Sequence, residues 1–145
     1  MVLADVNVLV AAFRADHPNH VVARRWLEGV IASPQAFGAS DLVSAAVVRI
    51  TTNRHAFRDP STPAEAFEFV NAIREAPNAV AVAPGPRHWG ILERLIDNTH
   101  VRGNLVTDAY HAALAIEHGC EWITFDADFA RFPGLKWRRP DERTK

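Results

Sequence analysis

Short apolar runs alternate with amphipathic helical segments along nearly the whole chain, and this alternation is the strongest constraint on its fold. Between the runs, apolar residues recur at helical spacing, for example at Ala23, Trp26, Leu27 and Val30. The strand-like runs occupy residues 2–4, 36–39, 79–83, 121–125 and 135–137. Strands that alternate with helices predict a parallel sheet with helices on both faces. We therefore expect an α/β fold.

Local residue patterns predict where several helices begin and end. Asn7 is placed to cap a short helix after the first strand, and Thr62 begins a capping box before another helix. Thr107 is expected to cap a helix that begins at Asp108, and Gly119 to end that helix.

Length and composition indicate one soluble domain over residues 1–145. The chain is 48% hydrophobic and 23% charged, without repeats or low-complexity segments. Its net charge of −1 argues against nucleic-acid binding by bulk electrostatics, so such binding would need a local basic patch or a metal. A single cysteine, no membrane-length apolar run and no signal-peptide pattern favour a cytoplasmic protein that does not contact a membrane.

Four acidic residues are predicted to meet at the carboxyl edge of the sheet. Asp5 directly follows the first strand, while Asp126 and Asp128 follow the strand at residues 121–125. Asp108 opens a helix that belongs to the same edge if it runs back across the sheet. Clustered carboxylates repel one another unless a cation intervenes, and Mg²⁺ and Mn²⁺ prefer oxygen ligands. The pattern predicts a hard-cation site able to activate water for attack on a phosphodiester.

Each acid also has a local interpretation. Asp5, Asp126 and Asp128 are placed to cap the segments that follow them, and Asp108 suits the positive end of a helix dipole. Independent caps need not converge at one edge, however, and this favours a shared role. The seven histidines lack the paired spacing of zinc ligands, so zinc is not expected.

Weaker candidates surround the acids. Asn7 and Thr124 are placed to orient an acid or a water, although turn and cap hydrogen bonds suit them equally. A basic loop and the helix before it supply candidate phosphate contacts at Arg49, Arg54, His55 and Arg58. The competing interpretation of these residues is a solvated loop.

A family resemblance is carried by three segments: LADVNVLVAAF, VVRITTNRHAF and VTDAYHAALAIEHGCEWITFDADFARFPGLKW. They resemble the PIN-domain toxins of bacterial toxin–antitoxin systems, the VapC family. The resemblance covers nearly the whole chain, and the segment from Asp108 to Trp137 is its most specific part.

The resemblance implies a three-layer α/β/α domain around a central parallel sheet. It implies a toxin that is a Mg²⁺- or Mn²⁺-dependent ribonuclease and cleaves RNA phosphodiester bonds by metal-activated water. A cognate VapB-type antitoxin and a homodimer are also implied. By motif, Asp5 and Asp108 would be metal-binding acids and Asp126 the last acid, with Asp128 as the close second candidate.

One position departs from the family pattern. Many PIN domains carry a Glu on the helix after the second strand, three residues before an Arg; Arg49 matches that Arg, but Ala46 stands at the Glu position. Asp41, at the start of the same helix, is either a water-mediated substitute or an ordinary helix N-terminal acid. With one acid fewer, we expect one well-held metal and a second that binds only with substrate phosphate.

Two other functions compete with this interpretation. The absent Glu raises the alternative of a non-catalytic PIN-like module that binds RNA or protein. A phosphatase of the haloacid dehalogenase type would need an Asp two residues after Asp5 and an active-site Lys. Asn7 stands at the first position, and Lys136 is the only Lys outside the tail.

Overall fold

The computed structural model describes residues 1–142, in which five strands alternate with six α-helices and one 3-10 helix. In chain order these are β1 (Val2–Ala4), α1 (Val6–Phe13), α2 (His20–Ile31), β2 (Phe37–Ser40), α3 (Asp41–Thr51), α4 (Pro63–Arg74), β3 (Ala79–Val82), α5 (His88–Thr99), α6 (Leu105–Glu117), β4 (Glu121–Ile123), the 3-10 helix Ala127–Arg131 and β5 (Lys136–Arg138). All paired strands are parallel, in the order β3-β2-β1-β4-β5. The predicted parallel α/β fold is confirmed.

The strand order explains why helices cover both faces of the sheet. The chain moves from β1 to β2 to β3 in one direction and then crosses back past β1 to reach β4. Because crossovers between parallel strands are right-handed, this reversal puts α5 and α6 on the face opposite to α1–α4. The helix contacts agree, since α5 packs on α6, and α1 packs on α2 and α3. The strand order therefore reverses between the neighbouring strands β1 and β4. In sheets of this kind ligands bind at the carboxyl ends of the strands, next to such a reversal.

Close packing fixes the register of the central strands. Leu3 on β1 and Trp122 on β4 are register partners, and both are fully buried. On its other side Leu3 is opposite Gly38 of β2, where a Cβ atom would collide with the Leu3 side chain. The fit aligns the carboxyl ends of the strands, from which the acidic residues project.

Two predicted helix caps are wrong. The helix α1 begins at Val6, because the carbonyl oxygen of Asp5 already accepts the first helical hydrogen bonds, and Asn7 therefore lies inside the first turn. The helix α6 begins at Leu105, directly after a turn at Gly103 with φ of 59°, so Thr107 is also inside its helix. Asp108 nevertheless remains in the first turn of α6.

Other predicted boundaries are confirmed or shifted slightly. The Thr62 hydroxyl accepts the Glu65 backbone N–H over 3.2 Å, and Gly119 ends α6 with φ of 63°. The strand β4 ends at Ile123, before the predicted residue 125. The strand β5 runs from Lys136 to Arg138, one residue beyond the predicted end at 137, and residues 143–145 lie outside the described part. Within residues 1–142 every helix is too short or too polar to cross a lipid bilayer.

Candidate active site

Asp5 lies at the carboxyl end of β1 and is held by two polar neighbours. The Thr124 hydroxyl donates to Oδ2 of Asp5 over 2.6 Å, and Nδ2 of Asn7 donates to the same oxygen over 3.0 Å. Thr124 follows β4, so the contact joins the ends of the two strands at the switch point. Both donors use Oδ2, and Oδ1 accepts no side-chain hydrogen bond from the described residues.

Asn7 and Thr124, the predicted supporting residues, extend this network along the edge. Nδ2 of Asn7 also donates to the Thr124 hydroxyl oxygen over 3.1 Å, and Oδ1 of Asn7 accepts the backbone N–H of Phe125 over 3.3 Å. The backbone N–H of Asp126 donates to the same Thr124 oxygen over 3.0 Å. The network thereby fixes Asp5 and the start of the following acidic loop without adding a charge.

The two acids of the TFDADF segment have different surroundings. Asp126 is half-buried and caps the 3-10 helix by accepting the backbone N–H of Asp128 at Oδ1 over 2.8 Å. The Asp128 side chain is 72% exposed and lies 3.3 Å from the guanidinium of Arg131. The local capping interpretation therefore holds for Asp126, and of the two acids it is Asp126 that faces the other site residues.

The pKa values of Asp5 and Asp108 show that the acids of the cleft interact electrostatically. Burial raises the pKa of Asp5 to about 6; the Thr124 hydrogen bond opposes this rise, and the charges of Asp108 and Asp126 add to it. Burial also raises the pKa of Asp108, with a further contribution from Asp126, while Arg131 opposes the rise. These carboxylates therefore repel one another although they come from separate segments of the chain.

Their chemistry fits a hard cation, because a bound positive charge would relieve both the burial and the repulsion of the carboxylates. Asp5, Asp108 and Asp126 are the residues that would hold it. As they stand in residues 1–142, however, no three acidic, His or Cys side chains are close enough to share one ion. The carboxylates thus raise one another's pKa values although they are too far apart to share one ion. To bind a cation together, their side chains would have to move closer to one another.

An open cleft of about 690 Å³ lies against these acids and contains Asp5, Asp108 and Asp126 in its lining. Arg58 also lines it, as the sequence predicted for a phosphate contact. The other two predicted arginines, Arg49 and Arg54, are exposed away from the cleft. Arg49 is on α3 and Arg54 is in the turn that follows, and neither is part of the lining.

Several lining residues were not predicted from the sequence. Asp16 and His17 come from the turn between α1 and α2, and Phe57 comes from the loop between α3 and α4. The basic loop was singled out for its charges, and the aromatic residue inside it was the available but unused signal. Asp16 and His17 carried no signal beyond their position in a turn.

The position of the absent Glu is close to the cleft, whereas its suggested substitute is not. Ala46 lies one helical turn before Ile50, which lines the cleft. The Asp41 side chain is 90% exposed and forms an ion pair with Arg74 over 2.7 Å. Asp41 and Arg74 line a different cavity, and Asp41 stands in the first turn of α3, the position expected of a helix N-terminal acid.

Comparison with known proteins finds similar sequences and folds over nearly the whole chain. A model of the PIN domain family matches residues 2–135. Ribonuclease VapC25 of Mycobacterium tuberculosis is 44% identical over 140 residues, which cover 97% of this chain and 99% of that protein. The fold resembles VapBC2 from Rickettsia felis bound to a promoter DNA fragment (TM-score 0.70, 16% identity, 96% of this chain and 98% of that one). It also resembles VapC20 of M. tuberculosis, a sarcin–ricin loop cleaving toxin (TM-score 0.65, 20% identity, 94% and 99%).

The two structural similarities establish the fold alone, because their sequence identities are low. The family match and the identity to VapC25 extend over nearly the whole chain. This chain therefore belongs to the PIN-domain family, and within it to the VapC proteins.

Proposed function

We propose that this protein is a metal-dependent ribonuclease and the toxin of a type II toxin–antitoxin system. The observation that carries the proposal is that Asp5, Asp108 and Asp126 line one cleft, with the pKa values of Asp5 and Asp108 raised. The relative VapC25 is named a ribonuclease, and VapC20, of similar fold, is described as cleaving the sarcin–ricin loop. Both names support the same class of reaction.

The side chains of the cleft have distinct roles in hydrolysis of a phosphodiester bond. Asp5, Asp108 and Asp126 would hold Mg²⁺ or Mn²⁺ through carboxylate oxygens. When bound, such an ion supplies activation of water and neutralises charge on the phosphodiester. Thr124 orients Asp5 by donating to Oδ2, which leaves Oδ1 as its available oxygen. Arg58, which lines the same cleft, offers a contact to phosphate.

Cleavage of single-stranded RNA by the purified protein tests the proposal. We expect cleavage with Mg²⁺ or Mn²⁺, none in excess EDTA, and none with Asp108→Asn in either metal. The pair Asp126→Asn and Asp128→Asn shows which acid of the TFDADF segment acts, and we expect loss only with Asp126→Asn. Undiminished cleavage in EDTA, or by Asp108→Asn, would overturn the metal-dependent mechanism.

A VapB-type antitoxin and a second copy of the chain are the proposed partners. The antitoxin is supported by the VapBC2 complex, whose toxin has a similar fold. Growth arrest on expression of this chain, relieved by co-expression of a cognate VapB-type antitoxin and by Asp108→Asn, tests the toxin role. Light scattering of the purified protein tests the homodimer.

The alternative is a non-catalytic PIN-like module that binds RNA or protein. It is favoured by Ala46 at the Glu position and by the distances between the acids, which leave no three of them around one ion within residues 1–142. RNA binding by the unmodified protein without cleavage in Mg²⁺ or Mn²⁺ would select this alternative.

A further inference from the structure

Arg14, at the end of α1, links two loops that each contribute residues to the lining of the cleft. Its Nε and Nη2 donate to the two carboxylate oxygens of Asp16 over 2.9 and 2.7 Å. It also donates to Oγ of Ser61 over 2.9 Å and to the carbonyl oxygen of Asp59 over 2.6 Å. The Arg14 side chain is only 13% exposed, which is low for a charged residue. One guanidinium thereby fixes the α1–α2 turn against the loop between α3 and α4.

Phe57 is held by the same guanidinium at the cleft. The Arg14 guanidinium carbon lies 4.4 Å from the centroid of the Phe57 ring, and the Phe57 backbone N–H donates to the carbonyl oxygen of Asn53 over 3.1 Å. Arg14 lines the neighbouring cavity together with Asp59, whereas Phe57 and Arg58 line the cleft itself. Arg14 therefore supports the ring from behind, on the side away from the cleft.

Packing against the core accounts for only part of this arrangement. Phe57 touches the core but stays partly exposed, and the adjacent Arg58 is exposed. An aromatic ring beside an exposed arginine is the combination that binds single-stranded nucleic acid, because the ring stacks on a base while the arginine contacts a phosphate. RNA bases that are unpaired are recognised by stacking of this kind.

We propose that Phe57 is the stacking platform for one unpaired base of the RNA, that Arg58 contacts an adjacent phosphate, and that Arg14 is the positioning residue for both. The inference rests on the proposed ribonuclease function and adds a nucleotide subsite to it. Asp5, Asp108 and Asp126 line the same cleft, so the stacked base belongs to a nucleotide near the bond that is cut.

Binding of a single-stranded oligoribonucleotide that the unmodified protein cleaves tests the subsite. Binding is measured by fluorescence anisotropy in an Asp108→Asn background, so that the RNA stays intact, with each base in turn replaced by an abasic ribose. We expect loss of one base near the cleaved bond to weaken binding by about tenfold. In Phe57→Leu, loss of that same base should have no further effect, and Phe57→Tyr should restore the tenfold penalty.

The matched control is Phe67→Leu, since Phe67 is 53% exposed on α4 and lines a different cavity; the abasic penalty should persist there. Arg14→Lys keeps the charge but loses the paired hydrogen bonds to the Asp16 carboxylate. This variant should raise KM several-fold with little change in kcat. Thermal unfolding checks that each variant is folded.

The outcomes separate the subsite from the proposed function. If the unmodified protein cuts no RNA, the ribonuclease function falls and the subsite falls with it. A second outcome is that RNA is cut but the missing base weakens binding equally in Phe57→Leu and in the protein that retains Phe57. In that case the subsite alone is overturned. An equal loss of affinity for intact and abasic RNA in Phe57→Leu would likewise reduce Phe57 to a packing role.

Discussion

Thr124 donates a 2.6 Å hydrogen bond to Oδ2 of Asp5, and the two residues are 119 positions apart in the sequence. The bond favours the ionised form of a carboxyl group that burial drives towards protonation. It therefore opposes the rise of the Asp5 pKa to about 6 and keeps the group ionised at neutral pH.

Replacing this donor should move the pH dependence of cleavage. Thr124→Val keeps the shape of the side chain but removes the hydroxyl, so the Asp5 pKa should rise by about one further unit. Because the ionised carboxylate is the form that binds metal, the acidic limb of the pH–rate profile should move to higher pH. Thr124→Ser is the control and should retain the profile of the unmodified protein. Superimposable profiles for all three proteins would show that this bond does not tune Asp5.

Replacing the buried carboxylate of Asp5 should abolish activity, and Asp5→Asn should raise stability. The Asp5 pKa is raised from 3.8 to about 6 on folding, so stability is lost as the pH rises through this window and is not regained above it. Asp5→Asn and Asp5→Ala should abolish cleavage, and Asn should raise the free energy of unfolding at pH 7 by up to about 3 kcal/mol without metal. Asp108→Ala should also abolish cleavage and keep the fold. Urea denaturation in EDTA, beside an RNA cleavage assay, measures both; cleavage at the unmodified rate by any of them would refute the site.

His111 should have the opposite effect on stability. It is buried, it stacks on Trp122 with ring centroids 5.3 Å apart, and burial lowers its pKa from 6.5 to about 4, with the charge of His88 contributing. Since the unfolded chain takes up the proton first, stability is lost as the pH falls from about 6.5 to 4, by up to about 3 kcal/mol. His111→Phe should remove this dependence, and His55→Gln at an exposed position should not.

The two pH dependences oppose each other between about pH 4 and 6, so each variant should reveal the other group. Denaturation of Asp5→Asn should show stability rising with pH in this range, because His111 remains. His111→Phe should show stability falling with pH there, because Asp5 remains. Equal slopes in both variants would mean that other groups govern the acid stability.

Adding the absent acid should strengthen metal binding. Ala46 lies one turn before Ile50, which lines the cleft, so a Glu at this position can reach the acids. Ala46→Glu should therefore tighten binding of Mn²⁺ in the absence of RNA, as measured by calorimetric titration. The exposed neighbour Ala45 provides the control, and Ala45→Glu should leave the affinity unchanged. Two tight sites in the unmodified protein, or no change with Ala46→Glu, would show that the absent Glu is not limiting.

The alternation of strands and helices was enough to predict the sheet and the end of it at which Asp5 and the TFDADF segment lie. Asp5 and the TFDADF segment follow strands directly, and a parallel sheet brings such positions together whatever the details of the helices. The starts of α1 and α6 could not be predicted in this way. Backbone turns determine them, and the side chains expected to cap them, Asn7 and Thr107, lie inside the helices.

The position of Phe57 in the cleft depended on contacts between residues that are far apart in the sequence. Phe57 lies at the cleft because Arg14 bonds to Asp59 and Ser61, 45 and 47 residues away. Asp41 lies outside the lining of the cleft and pairs with Arg74, which belongs to another helix. In both cases the contacting residue is distant in the sequence. The charge of a residue and its position in a segment were therefore not enough to predict whether it lines the cleft.

The central place of β1 in the sheet has a consequence for the timing of synthesis. Its neighbour β4 comes more than a hundred residues later, and Asp5 acquires its Thr124 partner only when that part of the chain has left the ribosome. Until then β1 has an open edge, and the acidic set lacks Asp126. On the proposed function, a growing chain is therefore unable to cut RNA before Asp126 has left the ribosome. The messenger that encodes the chain and the ribosome that translates it are spared until then.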